Sequence, residues 1–157
     1  GGVHPGGVHG LAAEGEDIVI ARNGTPVARL VPIAPASSFG AVRGAWRGCV
    51  EIADDFQEQA RGMMFRRELA PDHGMLFVYE AAERQAYWMR NCHIPLDIMY
   101  FDAAGRFINA HYNAPPCNAA QCPSYPSSAA AKYVLELGGG VGKALGLEPG
   151  DALTLPR

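Results

Sequence analysis

Residues 87–97 read YWMRNCHIPLD, setting two aromatics, a Met, an Arg, an Asn, a Cys and a His ahead of Ile-Pro-Leu-Asp. No other stretch of the chain holds side-chain chemistry this dense. Residues 86–89 read as a short strand. Residues 96–102, LDIMYFD, are apolar on both faces apart from their ends, as a buried strand would be. Pro95 has no N–H to give to a ladder, so pairing breaks there and Arg90 to His93 should form a polar corner between the two strands.

Working outward, residues 74–79 form an apolar strand, 80–85 a polar turn, 103–105 a turn and 106–112 a return strand, which together predict an antiparallel β-meander. Residues 132–137 predict another strand, Gly138-Gly-Gly140 a hinge into a short helix over 141–145, and 152–155 the last strand. Upstream, Asp55 and Glu58 have the spacing of a capping box, and Phe56, Ala60, Met63 and Met64 make one apolar stripe behind it. Residues 113–130 are loop by composition, with four prolines and two cysteines. Residues 17–21 and 26–32 are apolar runs flanking Asn23-Gly24, the strongest short-range hairpin signal. The fold class expected is α+β: a compact, β-rich, barrel-like domain with short helices, preceded by a β-hairpin arm.

The bulk properties fit one ordinary domain. The chain has 157 residues, 48% of them hydrophobic and 18% charged, with a formal charge of −3. That charge offers no general attraction to nucleic acid, and no apolar run has the length of a membrane helix. Residues 1–14, with GGVH twice, are expected to be a disordered leader, residues 15–49 a hairpin and arm, and residues 50–157 the β-rich domain. In residues 37–56, Phe39, Val42, Trp46 and Val50 have helix-like spacing, but Gly40, Gly44 and Gly48 interrupt them. An extended arm that orders on contact fits this pattern at least as well as a helix.

Two families are resembled. GEDIVIARNGTPVARLVPIAP (15–35) and SSFGAVRGAWRGCVEIADDF (37–56) resemble the second half of the prevent-host-death (Phd/YefM) antitoxins, including the tail many of them lay across a ribonuclease toxin. The resemblance implies a protein toxin as partner, met by Phe39, Val42, Arg43, Trp46 and Arg47. The family's first strand and helix, which build its DNA-binding dimer, have no counterpart, so DNA binding is not expected. VEIADDFQEQARGMMFRREL, GMLFVYE, AYWMRNCHIPLDIMYFDAAGRF, CPSY, KYVLELGGG and LGLEPGDALTL, over residues 50–155, resemble the domain of unknown function 192 family, with Cys92 where Thr is usual. That resemblance implies a compact β-rich fold with no established activity. The two overlap at residues 50–56, as in a fusion made at a shared word.

No catalytic constellation stands out. Cys92 precedes His93, but neighbours on an extended chain point to opposite faces. Cys92, His93, His111, Cys117 and Cys122 lack the spacing of a zinc site. No cofactor, metal site or membrane contact is therefore expected. Arg61, Arg66, Arg90, Asn91 and Asp97 either hydrogen-bond loop backbone or form a pocket for a small anion or peptide terminus. Cys117 and Cys122 are close enough to bridge, though spacing does not decide it. The expectation is a non-enzymatic, cytoplasmic, antitoxin-like interaction protein; the alternative is a small binding domain with an inert arm, periplasmic or exported.

Overall fold

The computed structural model describes residues 17–32 and 46–155. Its order is β1 (Ile18–Arg22), β2 (Thr25–Pro32), β3 (Trp46–Ala53), α1 (Phe56–Arg61), β4 (His73–Glu83), β5 (Ala86–Trp88), β6 (Leu96–Phe101), β7 (Phe107–Ala114), β8 (Ser124–Pro126), β9 (Ala131–Gly138), α2 (Val141–Ala144) and β10 (Ala152–Thr154). Helices of six and four residues make this a β-rich fold, to which the α+β label applies only loosely.

Eight strands form one curled sheet, ordered β10-β1-β2-β3-β4-β9-β6-β7, and β5 pairs β8 in a separate ribbon. The sheet curls far enough for its two edges to touch. Phe107 N–H donates to Asp151 C=O at 2.8 Å, and Leu153 N–H donates to Gly105 C=O at 2.6 Å. Gly105 is required at this seam, since a β-carbon there would lie 2.0 Å from the Leu153 oxygen and its φ is +82°.

Two expectations change. The sheet is mixed and not a meander: β2, β3 and β4 run parallel, and β9 lies between β4 and β6. The physical reason is burial, because β9 is covered on both faces and a strand apolar on both sides is satisfied only in a sheet interior. The hairpin is likewise no preceding arm. β1 pairs β10 and β2 pairs β3, so the hairpin completes the sheet, burying Ile18, Ile20, Ala28 and Leu30. The strand shared by the two resemblances thus belongs to the sheet from Trp46 onward.

Side chains alternate between the two faces and build two apolar clusters. One contains Ile18, Leu30, Leu76, Met99, Phe101, Leu135 and Leu137, and α2 covers part of it. The other contains Met63, Met75, Phe77, Met89, Ile98, Tyr100 and Val134, with Cys92 at its margin. The N-cap of the expected box forms, the Asp55 carboxylate accepting from Glu58 N–H at 2.7 Å. The apolar stripe does not, because α1 ends at Arg61: Met63 is buried while Phe56 is 83% exposed.

Candidate functional site

A cleft of about 190 Å³ opens over the second cluster, between α1 with the turn after it and the ribbon strand β5. Gln59, Ala60 and Arg61 form one wall and Ala86, Tyr87 and Trp88 the other; Met63, Phe77, Cys92 and Glu136 lie deeper. β5 can face the cleft because it leaves the main sheet to pair β8, with Tyr87 opposite Tyr125.

Glu136 is the unusual group. It lies on β9 with Met75 of β4 and Ile98 of β6 as its cross-strand neighbours, so neither adjoining strand offers a polar partner. The residue is 4% exposed, lines the cleft, and its carboxyl has no hydrogen-bond partner among the described residues. Burial pushes its pKa up to about 8, against a weaker opposing pull from Arg66. At neutral pH the side chain is therefore mostly an uncharged acid, able to donate one hydrogen bond and accept others.

The surrounding thiol and phenols are also held neutral. Burial pushes the Cys92 thiol up to about 11, and the nearby Glu136 carboxyl adds to the effect. Tyr79 and Tyr87 share a 2.6 Å hydroxyl hydrogen bond, and burial raises both above the ordinary phenol value. A thiol shifted in that direction is a poor nucleophile. His93 is exposed and sits against Phe65, with ring centroids 6.3 Å apart, while Cys92 is buried.

The expected pocket residues divide. Arg61 lines the cleft and has no ion-pair partner among the described residues. Arg66 lies near Glu136 but holds Glu51 in a two-pronged ion pair, the second contact at 2.9 Å. Arg90 lies over the Trp88 ring, 5.5 Å from its centroid, at the cleft's outer wall. Asn91 works through its backbone: at φ +60° its C=O accepts from Phe65 N–H at 2.8 Å and its N–H donates to Cys117 C=O at 3.2 Å. These contacts hold Phe65, itself at φ +68°, with its ring 55% exposed. A bulky side chain at positive φ is strained, and the surrounding structure must impose it.

Asp97 does not belong to this pocket. Alternation along β6 puts it opposite Ile98, on the face with Met99, where its carboxylate accepts from Asn113, Gly140 and Lys143 N–H at 2.6, 3.0 and 2.8 Å. It caps α2, whose Gly142 comes so near that a β-carbon would lie 2.8 Å from that of Asp97. Cys117 and Cys122 are joined in a disulfide, and Cys117 N–H donates to Met89 C=O at 3.2 Å, tying that loop to the corner.

Of the residues expected to meet a toxin, Phe39, Val42 and Arg43 lie outside the described residues. Trp46 and Arg47 are in β3, opposite Ala28 and Arg29 of β2; Trp46 packs on the first cluster and Arg47 lies 3.7 Å from Asp17. Both residues thus stand in the sheet and not in a preceding arm. Glu136 was missed. Its sequence signal was a single acid inside the apolar run Tyr133-Val-Leu-Glu-Leu137. Among the described residues no three His, Cys, Asp or Glu side chains gather to hold a metal, and no helix is long and apolar enough to cross a membrane.

Comparison with known proteins matches residues 42–155 to the DUF192 family model, described as an uncharacterized ACR. A UPF0127 protein of Pyrococcus abyssi is 30% identical over 111 residues, covering 68% of this chain and 85% of that protein. Another from Thermococcus kodakarensis is 26% identical over 115 residues, covering 70% of this chain and 66% of that protein's length. Among solved structures, a protein of unknown function from Novosphingobium aromaticivorans has a TM-score of 0.67 at 29% identity, covering 88% of this chain and 84% of its own. One from Sinorhizobium meliloti, provisionally named a transcription regulator, has a TM-score of 0.67 at 31% identity, covering 88% and 91%.

Proposed function

This chain belongs to the DUF192 family, and from that premise we propose that it is a small-ligand binding module whose site is the cleft between α1 and β5. The observation that carries this is Glu136, a buried carboxyl that lines the cleft and makes no hydrogen bond among the described residues. Burying an unpaired polar group costs on the order of 1–3 kcal/mol, a cost that a ligand supplying the missing hydrogen bond would offset. Around it the walls are mostly apolar, from Met63, Phe77, Tyr87 and Trp88, which is the composition of a ligand site with a few fixed polar points. The volume suits a ligand of on the order of ten non-hydrogen atoms with an apolar body. The nearby thiol and hydroxyls are held in their neutral, less reactive forms, which favours binding without chemistry.

The rival is toxin neutralisation through the N-terminal segment. It rests on the resemblance of residues 15–56, and β1, β2, Trp46 and Arg47 are all committed to the sheet. The cleft is therefore preferred. The test is a fragment screen read by NMR on the Trp88 indole. Hits should move that resonance in the full chain and lose binding in Ala60→Trp, which fills the cleft from an exposed helix position. Fragments that bind Ala60→Trp as well as the parent would place the site elsewhere.

A further inference from the structure

Building on the cleft as a ligand site, we infer that its ligand carries a carboxylate head on an apolar body, held between the Arg61 guanidinium and the Glu136 carboxyl. Arg61 lines the cleft with no ion-pair partner among the described residues, and Glu136 lines it with a buried carboxyl that makes no hydrogen bond among them. An uncharged acid and a guanidinium are both donors, so the site is rich in donors and carries one positive charge. A carboxylate accepts from both, and charge-assisted hydrogen bonds of this kind are the strong ones. Met63, Phe77 and Trp88 then cover the apolar body. A primary ammonium fits worse, because it would meet Arg61 and find no carboxylate until Glu136 ionised.

The groups facing Glu136 are Arg66 after α1, itself paired with Glu51 of β3; Tyr79 of β4; Tyr87 of β5; Cys92 of the corner; and Tyr100 of β6. The thiol and the phenols are raised and the guanidinium stays charged, so Glu136 is the one among them that changes charge between pH 6.5 and 9.5. Its ionisation places a negative charge beside the bound carboxylate, and binding weakens.

Calorimetric titration of the full chain with hexanoate or phenylacetate tests this. Affinity should fall about 30-fold from pH 6.5 to 9.5, following loss of the Glu136 proton. Glu136→Gln, which keeps a donor that does not titrate, should bind with little pH dependence. Glu136→Leu, suited to its apolar surroundings, and Arg61→Gln should each bind at least about tenfold more weakly. A short peptide ending in Leu should bind, and its C-terminal amide should not; tighter binding than hexanoate would assign the head to a peptide terminus and weaker binding to a free acid. Hexylamine binding that tightens as pH rises would overturn the carboxylate head while leaving the cleft as the site. An unchanged Arg61→Gln, or an amide that binds as well as its acid, would overturn it too. If neither acid nor amine binds, and Ala60→Trp matches the parent toward every fragment, the cleft reading fails with it.

Discussion

The two faces of the sheet each bury a carboxyl, and they treat it in opposite ways. Asp97 and Glu136 occupy adjoining register positions, Asp97 opposite Leu137 and Ile98 opposite Glu136. On the α2 face, three backbone N–H groups converge on Asp97. On the cleft face, Glu136 receives none, and burial has neutralised it. The same residue chemistry a few ångströms apart thus serves as a keystone on one side and as an open valence on the other. A satisfied buried acid reports on folding; an unsatisfied one beside a cleft points to a ligand.

The contrast is sharpest in Asp97→Ala, expected to lose about 4 kcal/mol in urea unfolding because it strands three N–H donors and uncaps α2. Glu136→Leu should act in the other direction, gaining about 2 kcal/mol at pH 9. The sign follows from linkage. The folded carboxyl keeps its proton to about 8 while the unfolded one releases it near 4.5, so its contribution is full below 4.5 and lost as pH rises through 8. The variant's advantage should therefore shrink as pH falls below 8. A destabilised Glu136→Leu at pH 9 would make both carboxyls structural and erase the difference between the faces.

Reduction of Cys117–Cys122, which ties its loop to the corner at the cleft's edge, should cost about 2 kcal/mol from the short loop it closes. It should also broaden the Trp88 indole signal more than any resonance near Asp97. The smallest effect is expected for Asp151→Asn, on the Asp97 side. Arg22 donates to Asp151 with two contacts of 2.9 Å and holds its carboxyl below the usual value. That contribution is present above the unfolded carboxylate value and lost as pH falls through the folded one, so the variant should differ from the parent at pH 7 and match it in strong acid.

How much of this was legible depended on range. The Asn23-Gly24 turn and the Asp55 cap are local chemistry, and both form where their residues stand. Strand order is not local: β9 enters between β4 and β6 because both its faces need cover, and only its apolar run, interrupted by one acid, hinted at that. β8 was invisible as three residues ending in Pro126 within a loop; it exists because β5, displaced from the sheet by the Pro95 corner, presents an edge to pair. Of the expected pocket residues, Arg61 lines the cleft, Arg66 lies near Glu136 and Arg90 lies over the Trp88 ring. Asp97, expected in the same pocket, lies on the other face of the sheet because alternation along β6 sends it there. Glu136, far along the chain, could have been flagged as a lone acid in a strand too apolar to solvate it.

The protonation state of Glu136 carries the whole comparison, and it can be observed directly. In protein labelled with 13C at the glutamate carboxyls, the Glu136 resonance should titrate with a midpoint near 8, moving higher when hexanoate is bound. A midpoint near the ordinary glutamate value of about 4.3 would contradict the account, because the carboxyl would then be solvated or paired and the two faces would not differ.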